Sequence, residues 1–185
     1  MSMFGDGLDA AVQKAFTRPA PKTGPAQMRY LVKQLGGTKA VAQLLRVSQR
    51  TVERYVKDQI KKPRADLAAR IEREVKARWQ PQIRAKAREK AASTGGIVID
   101  TRARIGYTAP IGTTDEDRLR HLTVALPPRY AARLFDAQER GAGDQQLQQI
   151  AAEALKEAYF QDNGRRAGQL EEVRFTDIEH LEFDL

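Results

Sequence analysis

Residues 37–58, GTKAVAQLLRVSQRTVERYVKD, constrain the fold of this 185-residue chain more than any other stretch. Thr38 and Ser48 are good N-caps for two short helices separated by a tight turn. A small residue, Ala42, stands where the two helices must approach closely, and Val47 can fill the turn. The pattern predicts two short helices packed at an angle against a common core.

The second of these helices has Val52 and Tyr55 on its inner side and polar side chains on its outer side. In a helix-turn-helix, the first residues of the second helix enter the major groove, where Arg can bridge guanine and Gln can pair with adenine. An ordinary helical hairpin with a solvated basic face is the alternative. We predict a DNA-binding helix-turn-helix, with contacts from Ser48, Gln49, Arg50, Thr51, Arg54, Lys57, Lys61 and Lys62.

Charge is distributed unevenly along the chain, whose net charge is +8. Residues 1–94 contain 21 Lys and Arg against 8 Asp and Glu, whereas residues 95–185 contain 11 against 16. A basic half attracts polyanions, of which nucleic acid is the leading one. The absence of cysteine and the presence of only two histidines argue against disulfides and metal sites. With no signal peptide and no long apolar run, a cytoplasmic protein is expected.

The periodicity predicts a mainly α fold with a smaller α+β part. We expect a leader and linker (1–26), a basic DNA-binding domain (27–92) and an α+β domain (95–185) with an acidic tail. The basic domain would end in a long basic helix over 61–90, kinked or interrupted at Pro81. That helix either runs along phosphates or is a solvated surface helix with i,i+4 ion pairs.

The C-terminal half changes to strand-like sequence at Ile97. The strand HLTVAL is followed by two predicted helices, Arg129 to Glu139 and Asp144 to Phe160. This order resembles a ribbon-helix-helix, in which two chains pair one strand each, although a generic α+β subdomain is favoured over it. The outward residues His121, Thr123 and Ala125 are poor in donors, so the pattern favours a homodimer or partner docking over base reading.

The chain as a whole resembles the terminal proteins of Streptomyces linear chromosomes and plasmids. The resemblance is carried by GTKAVAQLLRVSQRTVERYVKD, by IVIDTRARIGYTAPIGTTDEDRLRHLTVALPPRY and by the tail EVRFTDIEHLEFDL. It implies a protein that binds telomeric DNA, primes the synthesis that fills the terminal gap, and stays covalently attached to the 5′ end. It also implies association with the nucleoid at chromosome and plasmid ends.

The resemblance further implies a priming threonine hydroxyl, which carries over onto Thr114 in GTTDED, with Thr113 as its rival. Such a protein is a nucleotide acceptor and not a catalyst. It has no cofactor of its own, since dNTP and divalent metal act through a partner DNA polymerase. A telomere-associated partner protein and telomeric DNA, as a single-stranded overhang or a duplex, complete the expected partners.

Two alternatives to this interpretation stay open at the level of sequence. Thr113 and Thr114 lie in a predicted flexible loop, GTTDED, which Pro110 and Gly112 open and which Asp115 to Asp117 keep solvated. Both threonines precede acidic residues, a pattern that also serves as an ordinary N-cap. The chain as a whole could instead be a dimeric helix-turn-helix transcriptional regulator whose C-terminal half only dimerises.

Overall fold

The computed structural model describes residues 2–108, 114–165 and 167–185, with the backbone alone described for 114–116. These residues form two compact units, one of residues 17–81 and one of residues 2–16 together with 82–185. The helices are α1 (Met3–Lys14), α2 (Gly24–Leu35), α3 (Thr38–Leu45), α4 (Gln49–Val56), α5 (Ala65–Arg78), α6 (Pro81–Lys90), α7 (Pro128–Glu139) and α8 (Asp144–Leu155). The strands are β1 (Ile97–Thr108), β2 (Thr114–Leu126) and β3 (Glu172–Asp184).

The unit of residues 17–81 consists of helices α2 to α5 around one apolar core. Thr23 begins α2 by accepting the N–H of Ala26 on its hydroxyl, and Gly36 ends it in a left-handed conformation with φ of 75°. Left-handed backbone at a helix end favours glycine. The buried side chains come from all four helices: Met28, Leu31, Val41, Ala42, Leu45, Val52, Tyr55, Leu67, Ile71 and Val75.

The predicted long basic helix over 61–90 is interrupted and forms two helices, α5 and α6. Trp79 adopts an extended conformation at the end of α5, and Gln80 has φ of +46°. The interruption comes directly before Pro81, whose ring disfavours helical backbone in the preceding residue. The indole N–H of Trp79 donates to the carbonyl oxygen of Arg18 at 3.0 Å, within the same unit.

The other unit is built on a three-stranded antiparallel sheet in the order β2–β1–β3. Alternate residues of β1 are buried among the apolar side chains of α1, α7 and α8. A π-helical turn, Ala91–Gly95, leads into β1, and a second one, Lys156–Phe160, follows α8. None of the helices in the described part of the chain is both long and apolar enough to cross a membrane.

The units differ from the expected domain boundaries at both ends. The predicted leader contains α1, whose Phe4, Leu8 and Val12 are fully buried in the core of the sheet-containing unit. The residues of α6 after Pro81 also belong to that unit. Both segments carry side chains that complete the sheet-containing unit, which explains why they do not group with α2 to α5.

The C-terminal half corrects three expectations. HLTVAL is the end of a 13-residue strand, β2, and it pairs with β1 of the same chain instead of forming the lone strand of a ribbon-helix-helix. The predicted acidic tail is strand β3, which pairs with β1 over most of its length. The predicted loop GTTDED is strand from Thr114 onward.

Candidate nucleic-acid interface

The turn between α3 and α4 is held by local hydrogen bonds. Arg46 ends α3 with φ of 52°, and the N–H of Val47 donates to the carbonyl oxygen of Ala42 at 3.0 Å. The hydroxyl of Ser48 accepts the N–H of Thr51 at 3.2 Å, and the two hydroxyl oxygens lie 2.8 Å apart. The predicted contact residues Ser48 and Thr51 therefore form the N-cap that sets where α4 begins.

Helix α4 has a buried face and a cationic face. At about 100° per residue, Val52 and Tyr55 share one face, and Arg50, Arg54 and Lys57 share the opposite one. The first two side chains are buried, and burial raises the pKa of the Tyr55 hydroxyl. The three cations are exposed, and none of them forms an ion pair with another residue that the structure describes.

Gln49 connects the beginning of α4 to α3. Its amide nitrogen Nε2 donates to Thr38 Oγ1 at 3.1 Å and to Glu53 Oε1 at 3.0 Å. The predicted base contact from this side chain would therefore require it to exchange these two bonds for bonds to a base edge. Gln49 is exposed, so such an exchange would not remove a buried side chain from the core.

Lys61 and Lys62 lie in the connection between α4 and α5, and both are exposed. The first residue of α2, Gly24, packs closely against this connection. A Cβ at Gly24 would lie 3.0 Å from Cδ of Pro63 and 3.3 Å from the carbonyl oxygen of Lys61. Both distances are tighter than most real Cβ contacts, so the close approach favours glycine at this position.

Two further exposed cations, Lys39 and Arg46, were not predicted as contacts. Lys39 follows Thr38, which is hydrogen-bonded to α4 through Gln49, and Arg46 is in the turn before Ser48. Neither forms an ion pair within the described ranges of the chain. For Arg46 the sequence signal is its place two residues before the N-cap Ser48, whereas Lys39 is placed beside α4 only by the fold.

Many of the cations predicted to follow phosphates along residues 61–90 face other protein groups instead. Arg70 donates to the carbonyl oxygen of Leu45 at 2.7 Å, and Arg78 pairs with Glu74 at 2.5 Å. In the sheet-containing unit, Arg84 pairs with Asp9 at 2.9 Å. Residues 17–81 still contain 16 Lys and Arg against 5 Asp and Glu, a net charge of +11.

The predicted priming residues lie in the other unit. Thr114 is the first residue of β2, and its backbone is opposite Thr108 at the end of β1. This contradicts the expectation of a flexible loop at that position, since Thr114 begins a paired strand. Its rival Thr113 lies outside the described residues. Asp117, expected to be solvated, is partly buried in β2, and its carboxylate lies 3.9 Å from Arg174.

No family model, curated protein or solved structure matches this chain.

Proposed function

We propose that residues 17–81 bind DNA as a helix-turn-helix unit, with α4 as the recognition helix in the major groove. The observation that supports this most directly is the outer face of α4, where Arg50, Arg54 and Lys57 are exposed and without ion pairs among the described residues. Three unpaired cations on one short helix favour an anionic partner because each is already solvated and available.

The roles of individual side chains follow from their places on the unit. Arg50 stands in the first turn of α4, the part of a recognition helix that reaches base edges. Arg54 and Lys57 are about one and two turns further along the same face. Lys61 and Lys62 lie in the connection that follows α4, and we expect them to contact the phosphate backbone of the DNA. The net charge of +11 supplies the long-range attraction.

We further propose that the protein is a terminal protein, which primes 5′-end synthesis on linear replicons and remains attached as the telomere cap. Support comes from the three quoted motifs. Thr114 would attack the α-phosphorus of a bound dNTP, so that a phosphodiester bond forms to the threonine oxygen and pyrophosphate leaves. The hydroxyl proton passes to solvent or to a base of the polymerase. Two metal ions held by the polymerase would activate the hydroxyl.

In this role the protein accepts a nucleotide and the partner DNA polymerase catalyses the transfer. A telomere-associated protein would bring the two together at telomeric DNA. The first strand pair of the sheet, β1 and β2, supports such a role because Thr114 stands at its far end, where the chain passes from one strand to the next.

The deciding experiment is the recovery of DNA ends from cells that contain this protein, with detergent and without protease. A terminal protein stays on the ends through a bond that resists nuclease and breaks in alkali. A transcriptional regulator would instead dissociate from the DNA in detergent. That result would exclude the priming role, but it would not contradict DNA binding by α4.

A further inference from the structure

A groove of about 660 Å³ lies between helix α8 and the beginning of strand β3. The order β2–β1–β3 makes β3 an edge strand, so one side of its backbone has no neighbouring strand within the sheet. An edge strand beside a helix is a common docking place for an extended peptide, which adds to the sheet as a further strand.

Gln148 of α8 and Lys156, the residue after its end, donate hydrogen bonds to carbonyl groups along this edge. Gln148 Nε2 donates to the carbonyl oxygen of Phe175 at 3.1 Å, and Lys156 Nζ donates to that of Glu171 at 2.8 Å. The eight residue steps from Gln148 to Lys156 span about 12 Å of helix, and the four steps from residue 171 to residue 175 span about 13 Å of strand. The helix thus runs antiparallel to the strand edge with a matched spacing.

Between these two bonds lies Val173, which lines the groove and is 6% exposed. Since backbone groups of a strand alternate in direction with a period of two, the N–H and C=O of Val173 point to the same side as the carbonyl of Phe175. Ala152 stands midway between Gln148 and Lys156 on α8, lines the groove, and carries no donor. Among the described residues, no side chain donates to the Val173 carbonyl.

We propose that this groove binds an extended basic segment of a partner protein, which pairs with β3 as a fourth strand. The N–H groups of this segment would donate to the carbonyl oxygens of Phe175 and Glu171 in place of Gln148 and Lys156. The backbone of the segment would also form hydrogen bonds with the backbone of Val173. The proposal depends on neither DNA binding nor priming.

The charge of the rim favours a basic segment. Glu171 and Glu172 line the groove, are exposed, and form no ion pair with other described residues. Glu153, the third acid of the lining, is paired with Arg133 at 2.6 Å. Of the two lining cations, Lys156 donates to a backbone carbonyl, and Arg174 lies 3.9 Å from Asp117. The unpaired charge at the groove is therefore negative.

The test uses the full-length protein labelled with ¹⁵N and a probe peptide of about ten residues in which Lys alternates with Val or Thr. Addition of the peptide should shift the amide signals of Val173 and Phe175 and slow their hydrogen exchange, because these N–H groups point into the groove. A peptide with Glu in place of Lys should bind more weakly. The double variant Glu171→Lys/Glu172→Lys should lower the affinity for the Lys peptide about fivefold.

The control variant is Asp177→Lys, which changes an exposed acid of β3 that does not line the groove; it should leave the affinity unchanged. The proposal fails if the Lys peptide leaves the Val173 and Phe175 amides unprotected, or if Asp177→Lys weakens binding as much as the groove variant does. Protection of the same amides without peptide, increasing with protein concentration, would show that a second copy of the chain is the occupant and would overturn the choice of partner.

Discussion

The carboxylate of Asp144 accepts the backbone N–H of Phe4 at 2.8 Å, although 140 residues separate the two in sequence. The same carboxylate accepts the N–H of Met3 and the hydroxyl of Ser2, both at 2.9 Å. Asp144 is itself the first residue of α8, so one acidic side chain caps α1 from the beginning of another helix. This attachment places Phe4 against the ring of Phe175, with centroids 6.0 Å apart.

We expect Asp144→Ala to lower the free energy of unfolding by about 2 kcal/mol, because N–H groups at the start of α1 lose a charged acceptor. Urea unfolding measures the change. Asp136→Ala is the matched control. Asp136 is exposed, and its i,i+4 ion pair with Arg140 is long, at 3.7 Å. This substitution should therefore change the free energy of unfolding by less than about 0.5 kcal/mol. Equal effects of the two substitutions would contradict the capping role.

DNA binding should depend on the outer face of α4. Arg54→Ala is expected to cost about 1–3 kcal/mol of binding free energy if the guanidinium reaches a base edge, with reduced discrimination at one position. Lys76→Ala removes the same charge from α5, where Lys76 pairs with Glu72 at 2.8 Å, and should cost less. Fluorescence anisotropy at several salt concentrations gives both numbers, and an affinity independent of salt would contradict the proposal.

Arg88 should contribute to stability and not to DNA affinity. Its guanidinium donates to Glu139 at 2.5 Å and to Gln138 at 3.0 Å, and it lies 5.2 Å from the ring centroid of Phe135. The side chain is 17% exposed. Arg88→Ala is expected to lower the free energy of unfolding by about 1–3 kcal/mol while leaving the slope of log K against log salt unchanged. A shallower slope would place Arg88 among the phosphate contacts.

Acid should weaken the sheet through Asp100 on β1. Its pKa lies below the ordinary value of 3.8, chiefly because the hydroxyl of Thr123 donates to it, with His121 and His180 also favouring the charged form. Because the folded pKa is the lower one, this stabilisation is present above pH about 4 and is lost as the pH falls through the folded value.

The variant Asp100→Asn tests this pH dependence. Its deficit in the free energy of unfolding relative to the original protein should shrink as the pH is lowered from about 5 toward 2. Thr123→Val should move the pKa of Asp100 back toward its ordinary value, as an NMR titration of the carboxyl carbon would show. A deficit that stays constant with pH would mean that the carboxylate has no special stabilisation in the fold.

Nucleotide transfer should depend on one of two adjacent hydroxyls. With polymerase, partner protein, DNA and labelled dNTP, Thr114→Ala is expected to abolish labelling while its DNA affinity stays unchanged, because α4 is in the other unit. Thr114→Ser keeps a hydroxyl and should keep labelling. Labelling that survives in Thr114→Ala and disappears in Thr113→Ala would move the acceptor by one residue, and normal labelling of both single variants would exclude priming from this strand pair.

The sequence predicted the helices of residues 17–81 well because their ends carry local signals. Gly36 and Ser48 mark helix limits without reference to the rest of the fold, and the apolar spacing of Val52 and Tyr55 identifies the buried side of α4. The exposure of Arg50 and Arg54 follows from that spacing. What the sequence could not predict is which polar groups are already engaged: the bonds of Gln49 depend on Thr38, which the turn brings beside it.

Strand β3 was missed for a different reason. Its pairing with β1 shifts register near Ala103 and again near Ile105, so its apolar residues do not alternate strictly. Val173, Phe175 and Phe183 lie at odd positions, whereas Ile178 between them lies at an even one, and acidic side chains separate them. A period of two, the usual sign of a strand, is therefore broken twice in 13 residues.

The position of α1 against β3 has a consequence for synthesis on the ribosome. Phe4 leaves the ribosome long before its ring neighbours Phe175 and Phe183, which lie in β3. Residues 17–81 are continuous and can fold as soon as they emerge, whereas the core around α1 cannot close before strand β3 has emerged. Until then Phe4, Leu8 and Val12 lack their apolar partners in β3, so this stripe of α1 stays uncovered while the intervening residues are synthesised.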